Sequence, residues 1–201
     1  MKLDHQAILE FWYGEWPYQS AAAKRHSKIW FEANGETDNV IREKFEDQIH
    51  SALNESLIAP NSLDGKLAYI ILTDQFTRNV FRKSPAAFSG DALALTQTLQ
   101  LIENKQHLEI PATVAAFACM PLQHSEDKSI QQLSINVFND IAEQADAQEA
   151  QAALGYAKYA KVHADIIFEF NRFPHRNDAL NRESSPAEIA YLEKSGLRFG
   201  Q

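Results

Sequence analysis

Apolar positions recur along this chain at the spacing of helices rather than strands. The clearest case is Leu67 to Arg82, Leu-Ala-Tyr-Ile-Ile-Leu-Thr-Asp-Gln-Phe-Thr-Arg-Asn-Val-Phe-Arg. With each residue turning about 100° around a helix axis, Leu67, Ile71, Asp74, Arg78 and Arg82 fall on one line. That line begins apolar and becomes charged halfway. The opposite side carries Leu72, Phe76 and Val80, so no face is purely polar. A helix apolar nearly all round is buried by neighbours on several sides. Asp74, Gln75, Arg78, Asn79 and Arg82 are therefore expected to pair, to hydrogen-bond or to line a wet cleft, because unpaired burial costs about several kcal/mol.

The same periodicity predicts helices on both sides. Asp4 can cap a short helix carrying Ile8, Leu9, Phe11 and Trp12, closed by Gly14 and Pro17. A second is predicted from Ala21 to Phe31. A third starts at Asp38, with Ile41, Phe45, Ile49 and Leu53 inward and a charged outer face. Pro60-Asn61-Ser62 breaks the chain before the central helix. Beyond it, helices are predicted over Phe88–Asn104, Ala112–Met120 (ending near Pro121), from Asp127 to about Ala145, and from about Ala147 to Phe170. Residues 171–177 read as a loop. Ser185-Pro186-Ala187-Glu188 is a capping box that opens a last helix. The prediction is one all-α domain over residues 1–201, without strands, glycine-rich phosphate loops or visible repeats.

Composition sharpens this picture. A 45% hydrophobic content with 12 Phe, 6 Tyr and 3 Trp suffices for a packed core, and seven glycines and seven prolines favour helix over turn-rich β structure. A formal charge of −8 argues against non-specific nucleic-acid binding, which rests on neutralising phosphates. The longest weakly polar run, Ala112–Leu122, is too short to span a bilayer. Asp4, His5 and Glu10 interrupt any secretory h-region. The single cysteine, Cys119, lies between Ala118 and Met120 and reads as a core thiol, excluding a multi-cysteine metal site. These features suggest a cytoplasmic protein that needs neither membrane nor nucleic acid; its oligomeric state is not legible.

Three further segments bring polar groups to places the pattern buries. His124-Ser125-Glu126-Asp127 follows Pro121; Ser125 or Asp127 can cap a helix, which leaves His124 without a local task. His163 lies on the inward stripe Tyr156, Tyr159, His163, Phe170, where a lone histidine is more often a satisfied core residue than a base. The loop offers Arg172, His175, Arg176 and Asn177; Arg172 can bond helix-terminal carbonyls, while Arg176 and Asn177 have no such local role. Converging with the central helix, these segments would form a cationic cleft suited to a carboxylate or phosphate. An internal arginine–carboxylate network that fixes helix register is the competing reading.

These residues also carry a family resemblance. Phe-Trp-Tyr-Gly (11–14), Trp-Phe (30–31), Asp-Gln-Phe-Thr-Arg-Asn-Val-Phe-Arg (74–82), Pro-Leu-Gln-His-Ser-Glu-Asp (121–127), His-Ala-Asp-Ile-Ile (163–167) and Arg-Phe-Pro-His-Arg-Asn (172–177) span nearly the whole chain in order. They resemble a widespread, mainly bacterial family known as domain of unknown function 924. Thr77 stands where that family usually has proline, and Lys83 and Asn171 where it has glycine. The resemblance implies antiparallel helix pairs in a tetratricopeptide-like, right-handed array. It implies no activity.

Three functional expectations follow. A binding protein would hold a small anion or peptide carboxylate with Asp74, Arg78, Asn79, Arg82, Arg172, His175, Arg176 and Asn177. A hydrolase would use His124 or His163 as general base, Glu126 or Asp165 to orient it, and Arg78 with Arg176 as clamps. An interaction scaffold would need the charges only for structure. A metal held by His124, His163, His175 and Glu126 or Asp127 is disfavoured, since no HExxH-like spacing exists and nearby arginines repel cations. No cofactor is expected.

Overall fold

The structure, a computed structural model, describes residues 2–31 and 34–195, and the side chain of Phe31 is not among what is described. It is 73% helical, with no strand among the described residues. The helices are α1 His5–Tyr13, α2 Ser20–His26, α3 Lys28–Phe31, α4 Gly35–Leu53, α5 Leu63–Ile70, α6 Thr77–Val80, α7 Asp91–Glu103, α8 Ala112–Gln123, α9 Lys128–Gln144, α10 Ala150–Phe170 and α11 Pro186–Ser195. Local chemistry sets several ends. Asp4 accepts the Ala7 N–H, and Gly14 closes α1 at φ 80° with its N–H on the Glu10 carbonyl. Asp127 caps α9 through Ser129 and Ile130. Ser185 and Glu188 form the expected reciprocal box, with Ser185 N donating to Glu188 Oε2 at 2.7 Å.

Other boundaries depart from the periodicity. The predicted second helix breaks at Ser27. The third begins at Gly35, capped by Asn34, so Asp38 lies inside α4 with its carboxylate free for other partners. Phe88 closes a short 3-10 turn, Pro85–Phe88, and α7 starts only at Asp91. Pro121 does not stop α8, which runs on to Gln123; proline costs a helix its hydrogen bond to the residue four back, and here it falls in the last turn. Lys83 and Asn171 adopt left-handed φ of 60° and 59°, the conformation that favours glycine.

α5 and α6 form one rod joined by a π-helical stretch, Ile71–Phe76, whose residues are all buried. The extra residue per turn rotates Thr73, Asp74 and Gln75 relative to a straight α-helix. Around this rod lies an aromatic core. Trp12 meets Phe76 and Phe117 with ring centres 5.7 and 5.3 Å apart, Phe45 meets Phe76 at 5.0 Å, and Trp30 meets Phe117 at 4.9 Å. Every residue of α8 is buried. Helices α8, α9 and α10 pack against one another, and the direct contact of α8 with α10 sets His124, at the end of α8, beside His163 on α10. Among the described residues no helix is long and apolar enough to cross a membrane.

Candidate functional site

The charged half of the rod is buried as its pattern requires. Asp74 has no exposed surface and Arg78 keeps only 13% of its side chain exposed. Arg78 reaches back one turn, donating from Nη1 to the Asp74 carbonyl at 2.6 Å and lying 3.2 Å from Asp74 Oδ1. Its Nη2 lies 2.8 Å from Asp91 Oδ1. Asp91 also receives Arg176 Nη1 on Oδ2 at 3.1 Å, so one carboxylate joins guanidinium groups nearly a hundred residues apart in the chain. What brings Asp91 there is Gly90. A Cβ on Gly90 would stand 2.0 Å from the Thr73 carbonyl oxygen, so only glycine lets the start of α7 lie directly on the π-helical backbone.

His124 completes the cluster. Its Nδ1 lies 2.7 Å from Asp74 Oδ1, while Gln75 Nε2 donates to Asp74 Oδ2 at 2.6 Å. Burial, the Arg78 charge, His124 and Gln75 compete over Asp74: burial pushes its pKa up, but the other three win and hold it at about 2. Burial and Arg78 lower the pKa of His124, against the pull of Asp74. The pair is thus a neutral imidazole beside an anionic carboxylate. Since a carboxylate can only accept, the proton sits on Nδ1 and leaves Nε2 as the lone-pair nitrogen.

Two more imidazoles stand close. His163 is 6% exposed, its ring 6.2 Å from that of His124, and its Nδ1 lies 2.8 Å from the Tyr159 carbonyl. Burial, aided by His124, drops its pKa to about 3. Phe173 packs between His163 and His175, with ring centres 5.7 and 5.3 Å away. Burial and the Arg176 charge lower His175 to about 2. Arg176 itself is held between the faces of Phe88 and Phe173, at 4.6 and 4.7 Å, and donates to the His124 carbonyl at 3.0 Å. Burial lowers its pKa to about 10, Asp91 opposing and Arg78 adding to the effect.

The structure therefore brings Asp74, Arg78, His124, His163, His175 and Arg176 into one cluster. The remaining expected residues lie in two separate networks. Asn79 and Arg82 turn to Asp38 of α4, Asn79 Nδ2 at 2.7 Å from Oδ1 and Arg82 Nε at 2.6 Å from Oδ2. Arg172 forms a two-pronged pair with Glu188, at 2.6 and 2.7 Å, and Asn177 donates to Ser184 and Glu188. Glu126 is held by Arg182 at 2.8 and 3.0 Å and by the Phe173 N–H at 2.7 Å. The carboxylate on the His124 ring is that of Asp74, not Glu126. Asp165, the other candidate, pairs with Lys161 on the surface. Each of these arginines faces a carboxylate, so the cationic excess expected from the sequence is balanced inside the fold.

Asp38, Asp91, Arg182 and Phe88 were not singled out by the sequence. Asp38 reads as a helix start, and Asp91 falls inside the helix expected over Phe88–Asn104 with no role of its own; the Ser89-Gly90-Asp91 turn signal is the available hint. Among the described residues no group of His, Cys, Asp and Glu converges as metal ligands. A cavity of about 140 Å³ lies between the start of α8 and α9, lined by His107, Ile110, Ile141 and Glu149, and shares no residue with the His124 cluster.

With this geometry in view, the chain belongs to the family of bacterial proteins of unknown function DUF924, whose model matches residues 8–196. It is similar in structure to a protein of unknown function from Agrobacterium tumefaciens, with 27% identity and a TM-score of 0.76 over 94% of this chain and 97% of that one. No curated protein matches the chain.

Proposed function

We propose that this chain is a hydrolase-type enzyme in which His124, aligned by Asp74, acts as general base on a small substrate. The observation that carries this reading is the 2.7 Å contact between His124 Nδ1 and the Oδ1 of a carboxylate with no exposed surface. Burying a carboxylate is costly, and here the arrangement fixes one imidazole tautomer and ring orientation. The side chain of His124 stays 16% exposed, and among the described residues no protein hydrogen bond engages Nε2.

The chemistry follows from that tautomer. Nε2 takes a proton from water as the water oxygen bonds to an acyl carbon or phosphorus. The same proton then passes from Nε2 to the leaving group as its bond breaks. Positioned proton transfer of this kind contributes about 10²–10⁴-fold. Arg78 and Arg176 supply fixed positive charge beside the imidazole. Water is the nucleophile in this reading, the Cys119 thiol being buried with its pKa pushed up.

Binding of a small anion or peptide carboxylate without chemistry is a second reading. It is favoured by Arg176 Nε, a buried donor without a hydrogen-bond partner.

Two measurements test the enzyme reading. Long-range ¹H–¹⁵N spectra at pH 7 should show His124 neutral, with its proton on Nδ1. A panel of activated esters, anilides and phosphate esters should reveal a substrate whose turnover falls at least ~10²-fold in folded His124→Gln. A proton on Nε2, or turnover that survives His124→Gln, sinks the general base.

A further inference from the structure

We propose that Asp91 is a built-in stand-in for an anionic ligand: its carboxylate fills the cradle between Arg78 and Arg176 that a substrate carboxylate or phosphate takes when the Asp91 side chain swings aside. This deepens the reading of the His124 site by naming the class of group its substrate carries, and it rests on that site being where substrate binds.

The fit of Asp91 is close but imperfect. Arg78 Nη2 and Asp91 Oδ1 are 2.8 Å apart, yet both are buried atoms outside hydrogen-bonding alignment. Arg176 Nε is also buried without a hydrogen-bond partner. A carboxylate tethered to α7 leaves these donors poorly used. A free carboxylate, or a phosphate with more acceptor oxygens, can turn to meet them.

The cradle does not depend on Asp91 to keep its shape. Arg78 is held by the Asp74 carbonyl at 2.6 Å, and Arg176 by the His124 carbonyl at 3.0 Å and the flanking Phe88 and Phe173 rings. Asp91, by contrast, is the first residue of α7, retains 23% side-chain exposure, and among the described residues its carboxylate pairs only with these two arginines, with a hydrogen bond from Arg176 alone. Gly90 pins the backbone under Thr73, so a side-chain rotation suffices to vacate the cradle. An anion held there lies beside His124, because Arg78 and His124 share Asp74 Oδ1 and Arg176 bonds the His124 backbone.

The intramolecular carboxylate competes at high effective concentration, so removing it should tighten binding. The test titrates formate, acetate and inorganic phosphate, at constant ionic strength, into the full chain while following the Arg78 and Arg176 Nε–H signals. Wild type should respond saturably, Asp91→Ala should bind at least ten-fold tighter, and Asp91→Ala/Arg176→Gln should lose the response. Asp91→Asn, of the same shape, replaces Asp91→Ala should the latter fail to fold. Tighter binding of the two carboxylates or of phosphate identifies the source. No saturable response in wild type, no gain in the Asp91 variant, or binding that survives loss of Arg176 overturns the proposal. The general base fails separately: turnover that persists in His124→Gln refutes it whatever the anion titrations show.

Discussion

Replacing Arg78 by alanine tests whether the charged half of the rod is held by burial or merely decorated with surface ion pairs. The wild-type guanidinium sits 3.2 Å from Asp74 Oδ1 and 2.8 Å from Asp91 Oδ1, with 13% of its side chain exposed. Were this an exposed pair one turn apart, its loss would cost about 0.3–0.5 kcal/mol. Asp74 has no exposed surface, so its charge would instead remain buried with only His124 and Gln75 beside it. Breaking a buried pair from one side costs about 3–5 kcal/mol. For a chain of this size that lowers Tm by roughly 6–20 °C. Urea unfolding followed by circular dichroism measures the loss directly. Adding Asp74→Asn to Arg78→Ala should restore part of it, because the stranded charge disappears and the two sites are coupled. A single-mutant loss below about 1 kcal/mol, the range of exposed pairs, would show that solvent reaches this face and refute the reasoning.

Acidification should destabilise the fold. His163 and His175 have folded pKa values of about 3 and 2, and His124 is also lowered, so the unfolded chain binds their protons first. Their stabilisation is complete above the ordinary value of 6.5 and is lost as pH falls from there toward about 3, at up to about 1.4 kcal/mol per pH unit for each group. Asp74, held at about 2, adds the same sign below 3.8. Thermal melts at pH 7.5 and 5.0 check this, and an unchanged Tm would contradict it. Gly90→Ala should shift the start of α7 off the π-helical backbone and cost about 1–3 kcal/mol or more, seen as a lower urea midpoint; wild-type stability would mean the contact with Thr73 relaxes freely. Cys119, buried with its thiol pKa raised, should react with a thiol reagent only at the rate of unfolding, so rapid native-state labelling would be inconsistent with α8 as the core.

Much of this was legible because it is local. Helical period identified the all-α class and the rod, and the change from apolar to charged along one line marked Asp74 and Arg78 as buried charges in need of partners. Asp4, Gly14, Asp127 and Ser185 act within a few residues of themselves, so their capping roles could be read directly. His124 and Arg176 stood out because no neighbour in sequence gave them a task.

The partners could not be read, because each pairing closes a long stretch of chain. Asp91 joins Arg176 across 85 residues, and Asp74 joins His124 across 50. Nothing near Asp91 distinguishes it from an exposed acid at a helix start; the contact exists because Gly90 allows α7 to touch the π-helical backbone. Asp38 likewise became the acceptor for Asn79 and Arg82 once Asn34 took over the capping of α4. Glu126 was the reasonable orienter of His124 by nearness in sequence, but the loop's Arg182 and the Phe173 N–H claim it. Short-range preference thus determined the class of fold, several helix ends and which charges had to be buried. Only the packing of α7, α8 and the 171–182 loop against the rod decided which charges meet, because the energy of an ion pair depends on separation in space and on the water excluded around it.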